Sequence, residues 1–361
     1  MNCMTKTAKG KFFMRIKLLT GFFICAAVLS CHRGGAAKNE LKVGYVSYDD
    51  NDTYIKYLSD TMSEIAADKV LLLRRDSQAD QNKQNEQVQT LMTQGVEGII
   101  VNLVNYSGAP VIAEMAQQRR IPVVFLNREP EESVINSWER LYYVGPLESD
   151  AGRMSAEVLA DYVKHNPFLD LNGDGIVQYV VLMGELGHTG TILRTRAYAD
   201  GFMESKSDGG MGGEELMRES AMWRRDLARE KMIAMMEALP NRIEAVLSNN
   251  DEMALGAIDA LKERGYFVDS GPFMPVVGSD GIPEAINAIG EGTLLATMLN
   301  NAVDQDADAL AIILALARGQ DPEADLSVPF SNASRTSPNG RYVWVPYLKI
   351  TRENYRGFIK K

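Results

Sequence analysis

Cysteine is nearly absent from this chain of 361 residues: Cys3, Cys25 and Cys31 are the whole complement, and none lies beyond position 31. That excludes a disulfide framework and any thiol chemistry in everything that follows. A hydrophobic core must therefore do the stabilising, and a chain of this length can bury one, most simply as two domains. Excess positive charge is missing too. The formal net charge is -10, and an acidic surface argues against nucleic acid or anionic lipid as partners. No Walker loop and no dinucleotide-binding glycine fingerprint occurs. The apolar run over residues 18–29 is too short to span a bilayer comfortably.

That short run has another reading. Lys6, Lys9, Lys11, Arg15 and Lys17 form a basic segment before it, and Val28-Leu29-Ser30-Cys31 closes it with small residues and a cysteine. This is the pattern of a bacterial lipoprotein signal over residues 1–31, with Cys31 acylated. The plainer alternative is a signal peptide in which Cys31 is incidental. Removing those five cations and no anion takes the net charge from -10 to about -15. A lipidated residue tethers a domain to a membrane and does not make it span one.

Beyond the leader, apolar runs and amphipathic stretches alternate. Strands are expected at residues 43–47, 70–73, 98–104, 122–126, 177–183, 245–248, 275–277 and 294–299. Helices are expected at 54–67, 81–93, 111–119, 149–164, 194–204, 227–239, 253–264 and 303–318. Gly209 to Gly213 reads as a flexible surface connection. Nearly all-apolar strands that alternate with helices imply parallel sheets covered on both faces, here as two doubly wound α/β lobes. Ligands of such sheets bind beyond the carboxyl ends of the strands.

Those ends carry one kind of chemistry. Tyr48, Asp52 and Tyr54 follow the first strand, and Asn102 ends the third. His188 and Arg194 come later, then Trp223, Asn250, Asp280 and Asn300. Carboxylates, amides and a guanidinium can satisfy hydroxyls that both donate and accept, and flat aromatics suit the C–H faces of a pyranose. The mixture suits a sugar. Each residue alone has a blander reading, such as an N-cap for the next helix; the recurrence at successive strand ends is what counts.

Residues 170–178 add a second motif. Asp170, Asn172 and Asp174 stand at positions 1, 3 and 5 of the calcium-loop pattern, with Gly175 at the turn. The carbonyl of Ile176 and the side chain of Gln178 fall at 7 and 9. Position 12, normally a bidentate Glu, is Val181. Calcium needs six to eight oxygens, so a carboxylate must come from elsewhere in the chain. The alternative is an Asn-Gly-Asp-Gly turn without metal.

These segments together resemble the periplasmic galactose/glucose-binding proteins of bacterial sugar-uptake systems. The likeness runs from about Leu41 to Tyr355 and is most specific at Asp76-Ser-Gln, Val101-Asn-Leu-Val104, Asp170 to Gln178, Gly184-Glu-Leu-Gly-His188, Ala221-Met-Trp223, Asn249-Asn-Asp251 and Val345-Pro-Tyr347. The resemblance implies a type I periplasmic binding protein with three hinge crossings. It divides the chain into an N-terminal lobe of residues 38–121 plus 303–341 and a C-terminal lobe of 122–302 plus 342–361. It implies one hexose held between them by the strand-end residues named above, sandwiched by Tyr54 and Trp223. It also implies a structural calcium site completed by Glu244. The implied partners are the hexose, an ABC permease and a chemoreceptor, with a monomer at the periplasm or cell surface, lipid-anchored, and no catalysis. A sensor that signals without transport is the alternative.

One departure stands out. Where the family carries an Asp two residues after the histidine, this chain has Gly190. Losing a charge-assisted hydrogen bond costs roughly 1.5–3 kcal/mol, on the order of tenfold to a hundredfold in affinity. Weaker binding of free hexose, or room for a glycoside, is the expectation. A glycosidase using Asp52 and Asp280 as an acid–base pair has no third feature in its favour. A sugar-responsive regulator would need an N-terminal helix-turn-helix and a basic face, and neither is present.

Overall fold

Strands buried on both faces need helices on each side of the sheet, and the computed structural model satisfies that requirement twice. It describes residues 41–268, 271–322 and 335–359; the expected lipoprotein signal with Cys31 lies outside the described residues. In chain order the strands are β1 (Lys42–Ser47), β2 (Leu71–Asp76), β3 (Gly98–Val101), β4 (Val123–Leu126), β5 (Leu141–Gly145), β6 (Ile176–Met183), β7 (Gly212–Ser220), β8 (Ala245–Ser248), β9 (Val276–Asp280), β10 (Ala296–Leu299), β11 (Arg335–Thr336), β12 (Tyr342–Trp344) and β13 (Leu348–Thr351). The first sheet runs β11-β12-β5-β4-β3-β1-β2 and the second β13-β10-β9-β8-β6-β7. All pairings are parallel except β11 with β12 and β10 with β13. Each sheet has an apolar cluster on either face.

The chain passes between the sheets after β5, after β10 and after β12. Three crossings agree with the expected architecture, but the lobe limits differ from the expected ones. Strands β4 and β5 pair in the first sheet, so that lobe continues through Gly145 instead of ending at residue 121. Strand β12 also pairs there, beside β5. The apolar run at 122–126 looks the same in either lobe; only pairing decides its membership.

The glycine-rich stretch is another correction, because β7 starts at Gly212 and pairs with β6 from Ile176 onwards. This edge strand is largely polar and half-exposed, so it lacks the continuous apolar signal of a central strand.

Helix Glu148–His165 and helix Thr189–Ser207 cross in close contact on the second sheet. Gly152 makes that possible, since a Cβ there would collide with the Arg194 carbonyl. The approach brings the first crossing against Arg194.

In the first lobe, Asp306 on helix Ala302–Ala317 is fully buried, and neither carboxylate oxygen has a hydrogen-bond partner among the described residues. Burial raises its pKa well above the usual carboxylate range, opposed only in part by Arg74. A folded-state pKa above the unfolded one means stability that is present at low pH and lost as pH rises. Asp306→Asn should therefore raise the melting temperature at pH 8 and change it little at pH 5. Thermal melts at the two pH values check this; equal shifts would show that the carboxyl carries no pH-dependent cost.

Candidate ligand-binding cleft

Several strand-end residues serve first as helix caps. Asp52 accepts the Ile55 N–H at 3.0 Å, and Asn250 accepts the Met253 N–H at 3.0 Å. His188 Nδ1 accepts the Gly190 N–H at 3.0 Å. Each cap satisfies an orphan donor of a first helical turn, and each holds its side chain at a strand's carboxyl end. Asp251, just inside its helix, turns the other way. Its carboxylate accepts Gly281 N–H at 2.7 Å, Ile282 N–H at 3.0 Å and the Thr297 hydroxyl at 2.7 Å, fixing the end of β9.

A narrow cavity of about 40 Å³ lies between the lobes, lined by Asp52, Tyr54, His188, Arg194, Trp223, Asn250, Asp280 and Asn300 together with Ile55, Asn127, Arg128 and Glu148. Eight of the ten residues picked out at the strand ends meet there. A wider cavity of about 530 Å³ adjoins it on the side of His188 and Gly190. Another of about 720 Å³ adjoins it at Asp52 and Trp223.

Two expected residues sit elsewhere. Tyr48 lines both flanking cavities and not the central one. Its ring lies 3.7 Å under the Arg128 guanidinium, and its hydroxyl donates to Glu185 at 3.4 Å. Asn102 does not reach the cleft at all. Completely buried, it accepts the Tyr48 N–H at 3.2 Å and donates to the Leu126 carbonyl at 3.0 Å, lacing together the ends of β1, β3 and β4.

The amide that lines the cleft from this region is Asn127, one position past β4 and in a left-handed conformation at φ 65°. The strand-end rule, applied to the run at 122–126, would have found it and Arg128. Glu148 was out of reach of that rule, because it follows β5, whose mixed Leu-Tyr-Tyr-Val-Gly run was not expected as a strand.

Arg194 organises the second lobe's side. Its Nε donates to Glu148 Oε2 at 2.5 Å, Nη1 to the Asn249 carbonyl at 2.6 Å and Nη2 to the Tyr347 hydroxyl at 2.9 Å. Asp280 Oδ1 lies 3.9 Å from Nη1. Burial holds the Asp280 carboxyl well above its ordinary range, opposed by Arg194. Burial also raises the Asp52 carboxyl. Burial first, then the charges of Arg128 and Arg194, push His188 well below its usual value. The ring is thus neutral, with Nδ1 accepting and Nε2–H left to donate. Glu129, on the wall of the wider cavity, is pushed up to about 7 by burial and by the Glu148 charge.

Trp223 packs edge-on to His188, with ring centroids 5.2 Å apart. It follows Met222, and both have left-handed φ values of 65° and 53°. For non-glycine residues such a pair stores strain that the surroundings must hold in place. The indole lies directly over Gly184, where a Cβ would overlap the ring. A hydrogen-bond-rich cavity with an aromatic on each lobe suits a neutral, hydroxyl-bearing ligand.

Glu244 does reach the 170–178 loop: Oε1 accepts the Leu171 N–H at 2.6 Å and Oε2 the Gln178 N–H at 2.9 Å. Asp170 accepts the Gly173 and Gly175 N–H groups, and Asp174 accepts the side-chain amides of Asn172 and Gln178. Among the described residues no group of three or more Asp, Glu, His or Cys side chains is gathered as a metal site.

A family model described as a periplasmic binding protein domain matches residues 43–321. The chain is 34% identical over 326 residues to the D-galactose/methyl-galactoside binding periplasmic protein MglB of Haemophilus influenzae, covering 90% of this chain and 93% of that one. A solute binding protein of an ABC transporter from Bacillus halodurans, solved with myo-inositol, superposes with a TM-score of 0.70 at 26% identity, over 89% of this chain and 97% of that one. Another from Actinobacillus succinogenes, solved with D-allose, gives 0.73 at 19% identity, over 88% and 100%, and bears on the fold alone.

Asn102→Ala should act on stability, because it leaves the buried Tyr48 N–H unpaired, at about 1–3 kcal/mol, while the Leu126 carbonyl keeps the Arg128 N–H as a donor. Urea denaturation reads this as a lower midpoint at unchanged slope; an unchanged midpoint would contradict the lacing role.

Proposed function

We propose, for a chain that belongs to the periplasmic binding protein domain family, that its ligand is a hexose or hexose glycoside. The protein captures it between the lobes and delivers it to an ABC permease. The observation that carries this reading is the central cavity, where polar groups from both lobes converge. Asp52, Tyr54 and Asn127 come from one side, and His188, Arg194, Trp223, Asn250 and Asp280 from the other. A neutral polyol can use every group of that set, with Asp52 and Asp280 accepting, His188 Nε2–H and the amides donating, and Tyr54 and Trp223 against C–H faces.

Binding is coupled to closure because a ligand gains both half-sites only when the lobes meet. Contacts already bridge the cleft: Thr53 donates to Glu252 at 2.6 Å, and Arg128 lies 3.6 Å from Glu185. The central cavity is narrow and its walls come from both lobes, so a pyranose enters an opened form. The wider cavity beside Gly190 leaves room for a substituent on the sugar, and the relative from Haemophilus influenzae carries methyl-galactoside in its name. No bond is made or broken in this scheme. Lipidation at Cys31 would keep the carrier beside its permease, at a bacterial membrane facing the periplasm or cell surface.

The loop of residues 170–178 is proposed to hold a structural calcium ion, with Asp170, Asn172, Asp174, the Ile176 carbonyl, Gln178 and Glu244 as its oxygen donors. The arrival of Glu244 at that loop supports the donor set, although its carboxylate and those of Asp170 and Asp174 would have to turn from N–H donors to the cation.

Calorimetry with glucose, galactose and their methyl glycosides tests the first proposal. At least one should bind at micromolar strength or better, and Asn127→Ala or Asp280→Asn should weaken it tenfold or more, about 1.5–3 kcal/mol for a charged partner. Absence of binding across the panel would refute it. Thermal melts test the second. A chelator should lower the melting temperature, calcium should restore it, and Glu244→Gln should remove the difference. Identical melts with chelator and with calcium would refute the metal.

A further inference from the structure

We infer that Glu148 is a ligand-contacting and specificity-determining residue, a carboxylate supplied to the cleft by the first crossing on the side that Gly190 leaves open. The inference rests on the sugar-binding reading above and deepens it.

Glu148 is the first residue of its helix, directly after the chain leaves β5. A carboxylate is favoured in a first helical turn, yet Glu148 makes no cap and is only 4% exposed. Its side chain is turned into the cleft, where Oε2 takes both the Arg194 Nε–H at 2.5 Å and the Tyr347 hydroxyl at 2.9 Å. The other oxygen faces Gly190. A Cβ placed on Gly190 would stand 3.0 Å from Oε1 and 3.1 Å from Cδ. A Cβ at position 190 would need the carboxylate to give by a few tenths of an ångström, so the glycine and the glutamate share this wall as neighbours in contact.

Position then decides the role. Among the described residues, only Arg128, Glu148 and His188 line both the central cavity and the wider one beside it. Glu148 thus stands where a sugar held at the centre would present a hydroxyl towards the wider space. With Oε2 fixed by Arg194 and Tyr347, Oε1 is free to accept from that hydroxyl without breaking the buried ion pair. Asp52 and Asp280 reach the cleft from strand ends of the two lobes. Glu148 reaches it from a crossing, and its partner Tyr347 sits in another. A ligand hydroxyl bound here pulls directly on the segments that flex when the lobes close.

The test is calorimetry on the full chain with the best-bound hexose and its complete set of single-deoxy analogues, for wild type, Glu148→Gln, and Glu148→Ala combined with Gly190→Asp. Glu148→Gln keeps the shape of the side chain and a partner for Arg194. It should weaken the parent sugar at least tenfold but weaken one deoxy analogue less than twofold, because that analogue lacks the hydroxyl that Glu148 binds. The double substitution returns a carboxylate to the same wall from position 190 and should recover part of the loss. Equal weakening across the whole deoxy set would mean Glu148 acts only by supporting Arg194, and no weakening would mean it does nothing; either overturns the inference while leaving sugar binding intact. A wild-type protein that binds no sugar overturns both readings.

Discussion

A buried guanidinium is tolerated only when every charge-bearing direction finds a partner, since the cost of removing it from water otherwise exceeds any single attraction. Arg194 meets that condition through Glu148, the Asn249 carbonyl and the Tyr347 hydroxyl. These partners come from the first crossing, the end of β8 and the third crossing. One side chain therefore ties the floor of the cleft to two of the segments on which the lobes pivot. The close seat of the two helices at Gly152, where a Cβ would collide with the Arg194 carbonyl, brings the first crossing up to this side chain. Much of the second lobe's binding surface is arranged around it, with Asp280 just beyond hydrogen-bond distance and His188 kept neutral first by burial and then by the charges of Arg128 and Arg194.

The cap and ligand readings of strand-end residues turn out to be compatible. Asp52, His188 and Asn250 each satisfy a first-turn N–H while lining the central cavity. A cap is held rigidly by its helix, which suits a group that must meet a ligand without paying to be ordered. The same geometry aims the positive ends of three helices at the cleft, where electron-rich hydroxyl oxygens gain from them.

The fold was legible because central parallel strands are apolar throughout and alternate with amphipathic helices. Its failures have physical causes. Strand β7 is polar because it lies at a sheet edge, so only its pairing with β6 reveals it. The lobe limit at residue 122 was misplaced because apolarity says that a strand is buried, not in which sheet. Most of the cleft was legible from residue type after each strand. Asn102 and Asn127 show the limit of that signal: both are amides at strand ends, but one turns inward to tie three strands while the other, in a left-handed conformation, turns into the cavity. Glu148 was hidden by its place at a crossing and by a glycine forty-two residues later in the chain. The lack of a side chain at Gly190 carried information, but only the structure shows which residue uses the space.

Closure of the two half-sites around one neutral polyol is the claim on which the rest depends. Small-angle X-ray scattering from the free protein and from protein saturated with its best-bound hexose measures it most directly. The account predicts a smaller radius of gyration when the sugar is bound, as contacts such as Thr53–Glu252 and Arg128–Glu185 lock. Identical scattering curves at full saturation would contradict it.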